Sequence, residues 1–572
     1  MSGTAAAEAP QGRWPEIGGT VTAADGIGRR RWWTLAVLML AVFMVGIDTT
    51  VLNVALPSLV RELGASASQL QWITTAYSLV FAGLLLTAGS LGDRFGRKGA
   101  LTLGLVIFGL GSALCAYAPS TIMLIAARGL LGLGAAFVYP ATLSVLTNVF
   151  PAAERPKAVG SWATASALSM AVGPTLGGWL LGRFWWGSIF LINLPLVVIA
   201  LLAAWAFVPT SRDPSAPAPD PAGAALSTMG LVALLYAIIE APARGWASPA
   251  TLGAFAGAVL LLAGFVAWEA HSTHPMLNLR YFRNPRFSAA AAAVMLVNFA
   301  FLGTLFLLTQ FLQFVLGYTP LQAGLRMLPA VIGFMVMSPL APRLVARFGT
   351  KLVVVTGMVI VGGGFAAMAT VTAASGYVLA AVALALFGVG AGLVSAPATE
   401  SILGSLPKAK AGVGSATNDT TIELGGALGV AVLGSVLVGG YAAQMTGVVR
   451  GLPAAAAAAA RQNLGDALTA ARQLGGPAGE GLAAAARAAF IHGLSVTELF
   501  GLAVTLAGAV VALAFLPARA KLRPPELPPL CDPALDPSCA RPLVGLAFLG
   551  QRPQRRQPRP QNEQPRALTR TR

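Results

Sequence analysis

The chain has 572 residues, 56% of them hydrophobic and 10% charged, with a mean hydropathy of +0.73. A soluble domain carries about 25% charged residues, so this composition excludes a soluble enzyme, a nucleic-acid binder and a secreted disulfide scaffold. The net charge of +17 does not signal DNA: residues 518–572 hold +7 of it and much of the rest lies in short loops, as membrane topology requires.

Residues 1–32 are polar and lack the early apolar run of a cleavable leader. They are expected to form a disordered cytoplasmic tail. Fourteen apolar runs follow, at 33–56, 70–91, 99–117, 121–147, 159–181, 187–208, 224–241, 250–269, 288–315, 322–342, 352–373, 377–403, 412–440 and 494–516. Each has about the length a helix needs to cross hydrocarbon, and a helix satisfies its own backbone in lipid. The expected fold class is therefore an all-α polytopic membrane protein with 14 spans.

Lys and Arg set the orientation. With the N-terminal side taken as inside, short inside loops carry 14 of them, from Arg94, Arg97 and Lys98 to Lys408 and Lys410, and short outside loops carry 4. Both termini are then cytoplasmic. Residues 441–493 form an outside loop whose alanine-rich part favours helix and whose role is either a spacer or a lid. Residues 518–572 are a basic, Pro-rich cytoplasmic tail.

The chain repeats itself. The loop 89-GSLGDRFGRK-98 matches 342-PRLVARFGTK-351 at five of ten positions, 253 residues on. The repeat joins spans eight apart. That divides the chain into a six-helix bundle at 33–208, two inserted linker helices at 224–269 and a second six-helix bundle at 288–517. Parallel halves of this kind are a transporter pattern, with substrate bound between them.

Ionisable groups inside spans cost about 2.5–3.5 kcal/mol each, so each is a candidate by default. Asp48 in span 1 and Arg128 in span 4 fall at similar depth. They form either a fixed ion pair that orients two helices or a proton-linked pair. Asp419 and Glu423 in span 13 share one helical face. They are either a polar hinge or a site for a proton or a cation. Two carboxylates this close in low dielectric do not both stay ionised at neutral pH. Asn53, Gln310, Gln313, Glu240 and Glu400 are candidate cavity residues, though Glu240 and Glu400 sit near span ends and the amides serve helix–helix bonding equally well. Glu498, early in the last span, is set aside. The three cysteines and the three histidines (271, 274 and 492) show no metal or disulfide pattern, and no metal site or cofactor is expected.

Two stretches read as conformational devices. In the 89–98 loop, Asp93 sits among Arg94, Arg97 and Lys98, with Gly89, Gly92 and Gly96 around it. It can accept hydrogen bonds from Arg97 and from a neighbouring helix N-terminus. In span 5, Gly173, Pro174, Gly177 and Gly178 allow close helix approach and a kink.

These residues carry a family resemblance. The stretch 89-GSLGDRFGRKGAL-101 resembles the cytoplasmic signature loop of the major facilitator superfamily, and 173-GPTLGG-178 resembles its antiporter signature. The stretches 47-IDTTVLNVALP-57, 310-QFLQFVLGYTPLQAGLRMLP-329 and 417-TNDTTIELGGALGVAVLGS-435 are similar to the fourteen-span drug:proton antiporter branch, the last to its quaternary-ammonium and dye exporters. The resemblance spans about residues 33–517. It implies a proton-driven exporter of amphipathic, cationic antimicrobials and dyes. It further implies a monomer in a bacterial inner membrane, with Asp48, Arg128, Asp419 and Glu423 as its proton-coupling groups. One departure stands out. The family's span 4 signature has Gln three residues after its Arg, whereas Leu131 follows Arg128 here. Ala346 also replaces, in the second loop, the Asp93 of the first. Export of a self-made antibiotic is the nearer alternative, and a membrane enzyme or sensor without transport the remote one.

Overall fold

A computed structural model describes residues 21–517, except 152, 214–218, 273–274, 373 and 407–410. Of the expected disordered tail at 1–32, residues 21–32 are instead helical, forming the start of α1; residues 1–20, the tail at 518–572, Lys408, Lys410 and His274 lie outside the described residues. All described elements are helices. In chain order they are α1 (Val21–Leu63), α2 (Ala67–Phe95), α3 (Arg97–Ala116), α4 (Thr121–Val149), α5 (Arg155–Leu181), α6 (Ser188–Leu191), α7 (Asn193–Phe207), α8 (Pro221–Arg244) and α9 (Pro249–His271). Then follow α10 (Pro285–Gln310), which runs into a π-helical turn at Phe311–Val315, α11 (Pro320–Arg326), α12 (Leu328–Phe348), α13 (Thr350–Ala369), α14 (Tyr377–Leu403), α15 (Ala411–Val448), α16 (Ala454–Gln462), α17 (Leu464–Leu474) and α18 (Gly476–Phe515).

Among the described residues, thirteen helical segments are long and apolar enough to cross a membrane. Helix α5, with 27 residues, matches them in length and fits a fourteenth crossing, but it is more polar. Several of its small and polar residues meet protein instead of lipid. Thr50 of α1 donates to the Ser169 carbonyl, and a methyl at Gly177 would press on Val51 of α1.

Helix starts follow local chemistry. Ser66 and Thr319 each close a capping box, with Gln69 and Gln322 returning the bond. Helices α8, α9 and α10 each begin with Pro after an Asp, Ser or Asn cap.

The helices pack in two groups, α1–α7 and α10–α18. The side on which α1 begins is here called the near face, and the opposite side the far face. The sequence repeat appears in the backbone. Gly96 between α2 and α3 and Gly349 between α12 and α13, 253 residues apart, both hold positive φ, at 138° and 86°. Only glycine turns one helix into the next so tightly at low cost. Helices α8 and α9 pack on each other, and α8 lies against both α2 and α15. It thereby covers one lateral seam between the groups. Ser435 of α15 donates to the Ile238 carbonyl of α8 and to Gln71 of α2, so three helices meet there.

The segment expected to be an outside loop at 441–493 is helical over most of its length. Helix α15 continues to Val448, α16 and α17 follow, and α18 begins at Gly476 instead of near 494. Alanine-rich composition favours helix here; two breaks fall at glycines of positive φ, Gly451 and Gly475, and the third at extended Asn463. Helix α17 is no free spacer: it buries Leu464, Ala467, Ala470 and Ala471. A methyl at Gly465 would sit 2.6 Å from Val60 of α1 and 2.9 Å from Phe314. The segment thus caps the far face against both groups.

Candidate functional site

Asp48 lies midway along α1 and is fully buried, as is Arg128 on α4. Their side chains form a salt bridge through Arg128 Nη1 and Asp48 Oδ2. Arg128 Nε also donates to the Ile73 carbonyl of α2 at 3.1 Å. The guanidinium stacks over the Tyr77 ring at 4.6 Å, an added cation–π hold. Asn193, at the start of α7, donates to the other carboxylate oxygen of Asp48 at 3.0 Å and lies equally close to Ser112 Oγ of α3. Five helices therefore converge on one buried charge pair. Leu131, at the usual Gln position, is fully buried and packs on Gly111 of α3.

Tyr77 extends this network toward the second group, because it lies within electrostatic reach of Asp48, Arg128 and Glu423 together. Glu423 on α15 faces Ser78 of α2, and Tyr139 of α4 senses both Asp419 and Glu423. Asn418 donates to Asp419 at 3.2 Å while accepting from Thr399 of α14. One carboxylate oxygen of Glu423 is buried without a partner. The two acids thus share a face that looks across the seam at the aromatic and hydroxyl residues of α2 and α4. Glycines make that approach possible. A methyl at Gly434 of α15 would sit 2.9 Å from the Gln71 side chain of α2.

Two cavities flank the centre. One, with room for little more than a water molecule, is lined by Thr49, Asn53, Thr75, Ser78, Arg128 and Gly426, among others. The other, equally small, is lined by Asn53, Met170, Pro174, Phe301, Leu305 and Met327, among others. Asn53 borders both, and its carbonyl oxygen is buried without a partner. The remaining cavity candidates lie elsewhere. Gln310 bonds back to the Phe306 carbonyl. Gln313, on the π turn, donates to the Val54 carbonyl of α1 at 2.9 Å and ties the groups together at the far face. Glu240 accepts from Trp72 of α2 at 3.3 Å and pairs with Arg244, so it fastens α8 to the seam. Glu400 is exposed at the near end of α14. Their placement is a matter of helix register: each points toward a helix contact or the rim, and none lines either cavity.

The span 5 signature has two faces. Gly173 and Gly177 pack on Thr50 and Val51 of α1. Gly178 and Pro174 meet α11 of the other group: a methyl at Gly178 would sit 2.6 Å from Leu321 Cα, and one at Gly324 would collide with the Pro174 carbonyl. The signature therefore forms the far-face seal. At the near face, Arg97 Nε bonds Asp93 at 2.7 Å. The strap after α7 holds the same turn through Arg97 N to Ser211 O and Asp213 N to Asp93 O, and Lys98 Nζ donates to the Trp205 carbonyl in the last turns of α7. Gly89 packs on Pro140 of α4, Gly92 on Ala100 of α3, and Arg94 is exposed beside Phe95.

Sequence reading missed Asn193, Ser112, Tyr77 and Tyr139. A lone amide before Pro195, in 191-LINLP-195, was the available signal for Asn193. The tyrosines had none, since a buried aromatic ring in a span is ordinary packing.

Two helical groups that share a seam, with buried Asp48 on one side of it, half-buried Asp419 and Glu423 on the other and a tight seal at one face, define a membrane transporter and not an enzyme. The chain belongs to the major facilitator superfamily, whose family model matches residues 38–430. It is 36% identical to the multidrug efflux pump LfrA of Mycolicibacterium smegmatis, over 85% of this chain and 96% of that one. It is 35% identical to the methyl viologen resistance protein SmvA of Salmonella typhimurium, over 82% and 94% of the two chains. It is 34% identical to the tetracenomycin C resistance and export protein of Streptomyces glaucescens, over 73% and 78%. Its fold matches an inward-facing bacterial homologue of the human lysosomal transporter Spinster with a TM-score of 0.58 at 19% identity, covering 86% of this chain and 99% of that one.

Proposed function

We propose that this chain is a proton-coupled exporter of small amphipathic, chiefly cationic antimicrobials and dyes. It works as a monomer in the bacterial plasma membrane with both termini cytoplasmic, so the near face is the inner one. The two bundles correspond to 33–208 and 288–517, with 224–269 inserted between them, and the cycle uses the proton gradient and no cofactor.

The observation that carries this reading is the buried Asp48–Arg128 pair, with Arg128 stacked on Tyr77 and Glu423 of the other bundle facing the adjacent Ser78. A charge pair in lipid separates at low cost only when one partner changes its charge. A proton arriving on Asp48 frees Arg128 and loosens α1 from α4. A cationic substrate on Asp419 and Glu423 competes with protons for the same carboxylates. Each ligand therefore biases the balance between near-open and far-open states through its differential affinity. The far-face seal of Gly178, Gln313 and α17 is what must part for release, and the 89–98 turn is the switch element at the other face.

The test is ethidium transport by the purified chain in liposomes. A pH gradient should drive ethidium uphill, and collapsing it should abolish accumulation. An unchanged final ethidium gradient without the pH difference overturns the reading. A self-made antibiotic as natural cargo is the second reading, favoured by the relative named for tetracenomycin C resistance and export. Biosynthetic genes beside this one, and export of their product, would decide for it.

A further inference from the structure

One acid inside a span takes no part in the site described above. Glu498 lies on α18 with 1% of its surface exposed, and both of its carboxylate oxygens are buried without a hydrogen-bond partner. Two close helix contacts bracket it. On one side a methyl at Gly440 of α15 would sit 2.9 Å from Gly493 Cα. On the other, one at Gly501 would sit 2.6 Å from Phe365 Cζ of α13. Leu494, Thr505 and Ala512 continue the same buried stripe. The side chain is therefore enclosed within the second bundle and does not reach the lipid.

Among the described residues, the helices around it offer no compensating charge. The helices packed on α18 are α10, α13, α15 and α17. Their titratable and charged groups are Arg286 on α10, Lys351 on α13, Asp419, Glu423 and Tyr441 on α15, and Asp466 and Arg472 on α17. None of them bonds to Glu498. Tyr441 donates instead to the Ala460 carbonyl, and Asp466 is held by Asn463. Thr497, the neighbour on α18, bonds its own helix at Gly493.

The antiparallel contact of Gly440 with Gly493 sets the depth. Glu498 is level with the Ser435 turn of α15, twelve residues beyond Glu423. At the helical rise it lies about 18 Å farther toward the far face than that acid. It is a separate group, set on the side from which protons would enter.

An isolated charge in hydrocarbon is costly even on lenient scales. This packing accommodates the proton-bound carboxyl; ionisation requires water, a cation or a rearrangement of α18 against α13 and α15. We propose that Glu498 is a proton-binding site of the second bundle, distinct from Asp419 and Glu423, whose occupancy changes as the far face opens. A proton bound in one state and released in the other shifts the balance between them. The inference rests on the antiport reading, and its test separates the two.

The test uses the full chain in liposomes. Glu498→Gln should still exchange ethidium for ethidium at equilibrium. Its proton-driven transport should shift in pH midpoint by about one unit or more relative to the unaltered chain. Driven transport with an unshifted pH profile overturns the proposal. Labelling of the unaltered chain by a hydrophobic carbodiimide, read by mass spectrometry, keeps the proposal testable if the variant does not fold. Labelling at Glu498 that changes with pH and with saturating ethidium supports it. Labelling that is absent or constant across the pH range overturns it. If the unaltered chain couples no protons to ethidium, the antiport reading itself fails, and with it this role for Glu498.

Discussion

Asn193 donates its amide to Asp48 across 3.0 Å, on the carboxylate oxygen that Arg128 does not grip. The bond fixes the carboxylate plane and ties α7 to α1. Asn193→Leu leaves a buried carboxylate oxygen short of a donor, at a cost of about 1–3 kcal/mol. It should lower the melting temperature and impair export of all substrates alike. A melting temperature and drug-resistance profile equal to the parent's would contradict this role.

The Asp48–Arg128 pair should behave asymmetrically on removal. Asp48→Asn strands a buried guanidinium, at a cost of about 3–5 kcal/mol. The double variant Asp48→Asn with Arg128→Leu removes both charges and should recover most of that stability without recovering proton-coupled transport. Thermal melting and proton flux in liposomes, measured on both variants, separate the structural contribution from the coupling one. Recovery of proton flux in the double variant would show that the pair is only a helix clamp.

Asp419 and Glu423 predict substrate-dependent effects. A charged contact is worth about 1.5–3 kcal/mol, so Asp419→Asn or Glu423→Gln should weaken transport of the dication methyl viologen about tenfold or more. Neutral drugs should be affected less. A uniform loss over a series of neutral, singly and doubly charged substrates would exclude direct cation contact.

The far-face seal depends on the absence of a side chain at Gly178, which lies against Leu321. Overpacking costs about 1–3 kcal/mol, so Gly178→Leu should move the population toward the far-open state by about five- to a hundredfold. Distances between spin labels on α5 and α11 should lengthen while both bundles stay folded. Unchanged distances would place the seal elsewhere.

The cap carries a pH dependence of its own. Burial pushes the Asp466 carboxyl above its ordinary value, against the opposing hydrogen bond from Asn463. A carboxyl raised on docking contributes stability that is full below its undocked value and lost as pH rises through the docked one. Amide protection factors over 464–474 should therefore fall with rising pH in that window, and Asp466→Asn should flatten the dependence. A parent cap with pH-independent protection would contradict it.

Much of the site was legible because hydrocarbon makes each polar group conspicuous. Asp48, Arg128, Asp419 and Glu423 stand out from apolar runs, and equal depth along α1 and α4 was enough to pair the first two. Gln313 and Glu240 were equally conspicuous but misplaced. A one-residue change of register turns a helical side chain by about 100°, and only packing decides whether it meets a cavity, a backbone carbonyl or Trp72. Glu498 was placed early in the last span, near the outside; α18 begins at Gly476 instead, and its packing buries that side chain.

The sequence by itself determined the solvent, the helical class, the duplication and the list of costly charges, because lipid leaves few ways to place a backbone or an ion. Only the tertiary structure decided which face is sealed, that α8 covers a seam, that Asn193 completes the Asp48 pair and that Glu498 has no partner. Those depend on close contacts between helices distant in the chain, where glycines and single rotamers set the outcome and periodicity along one helix carries no record of its neighbour.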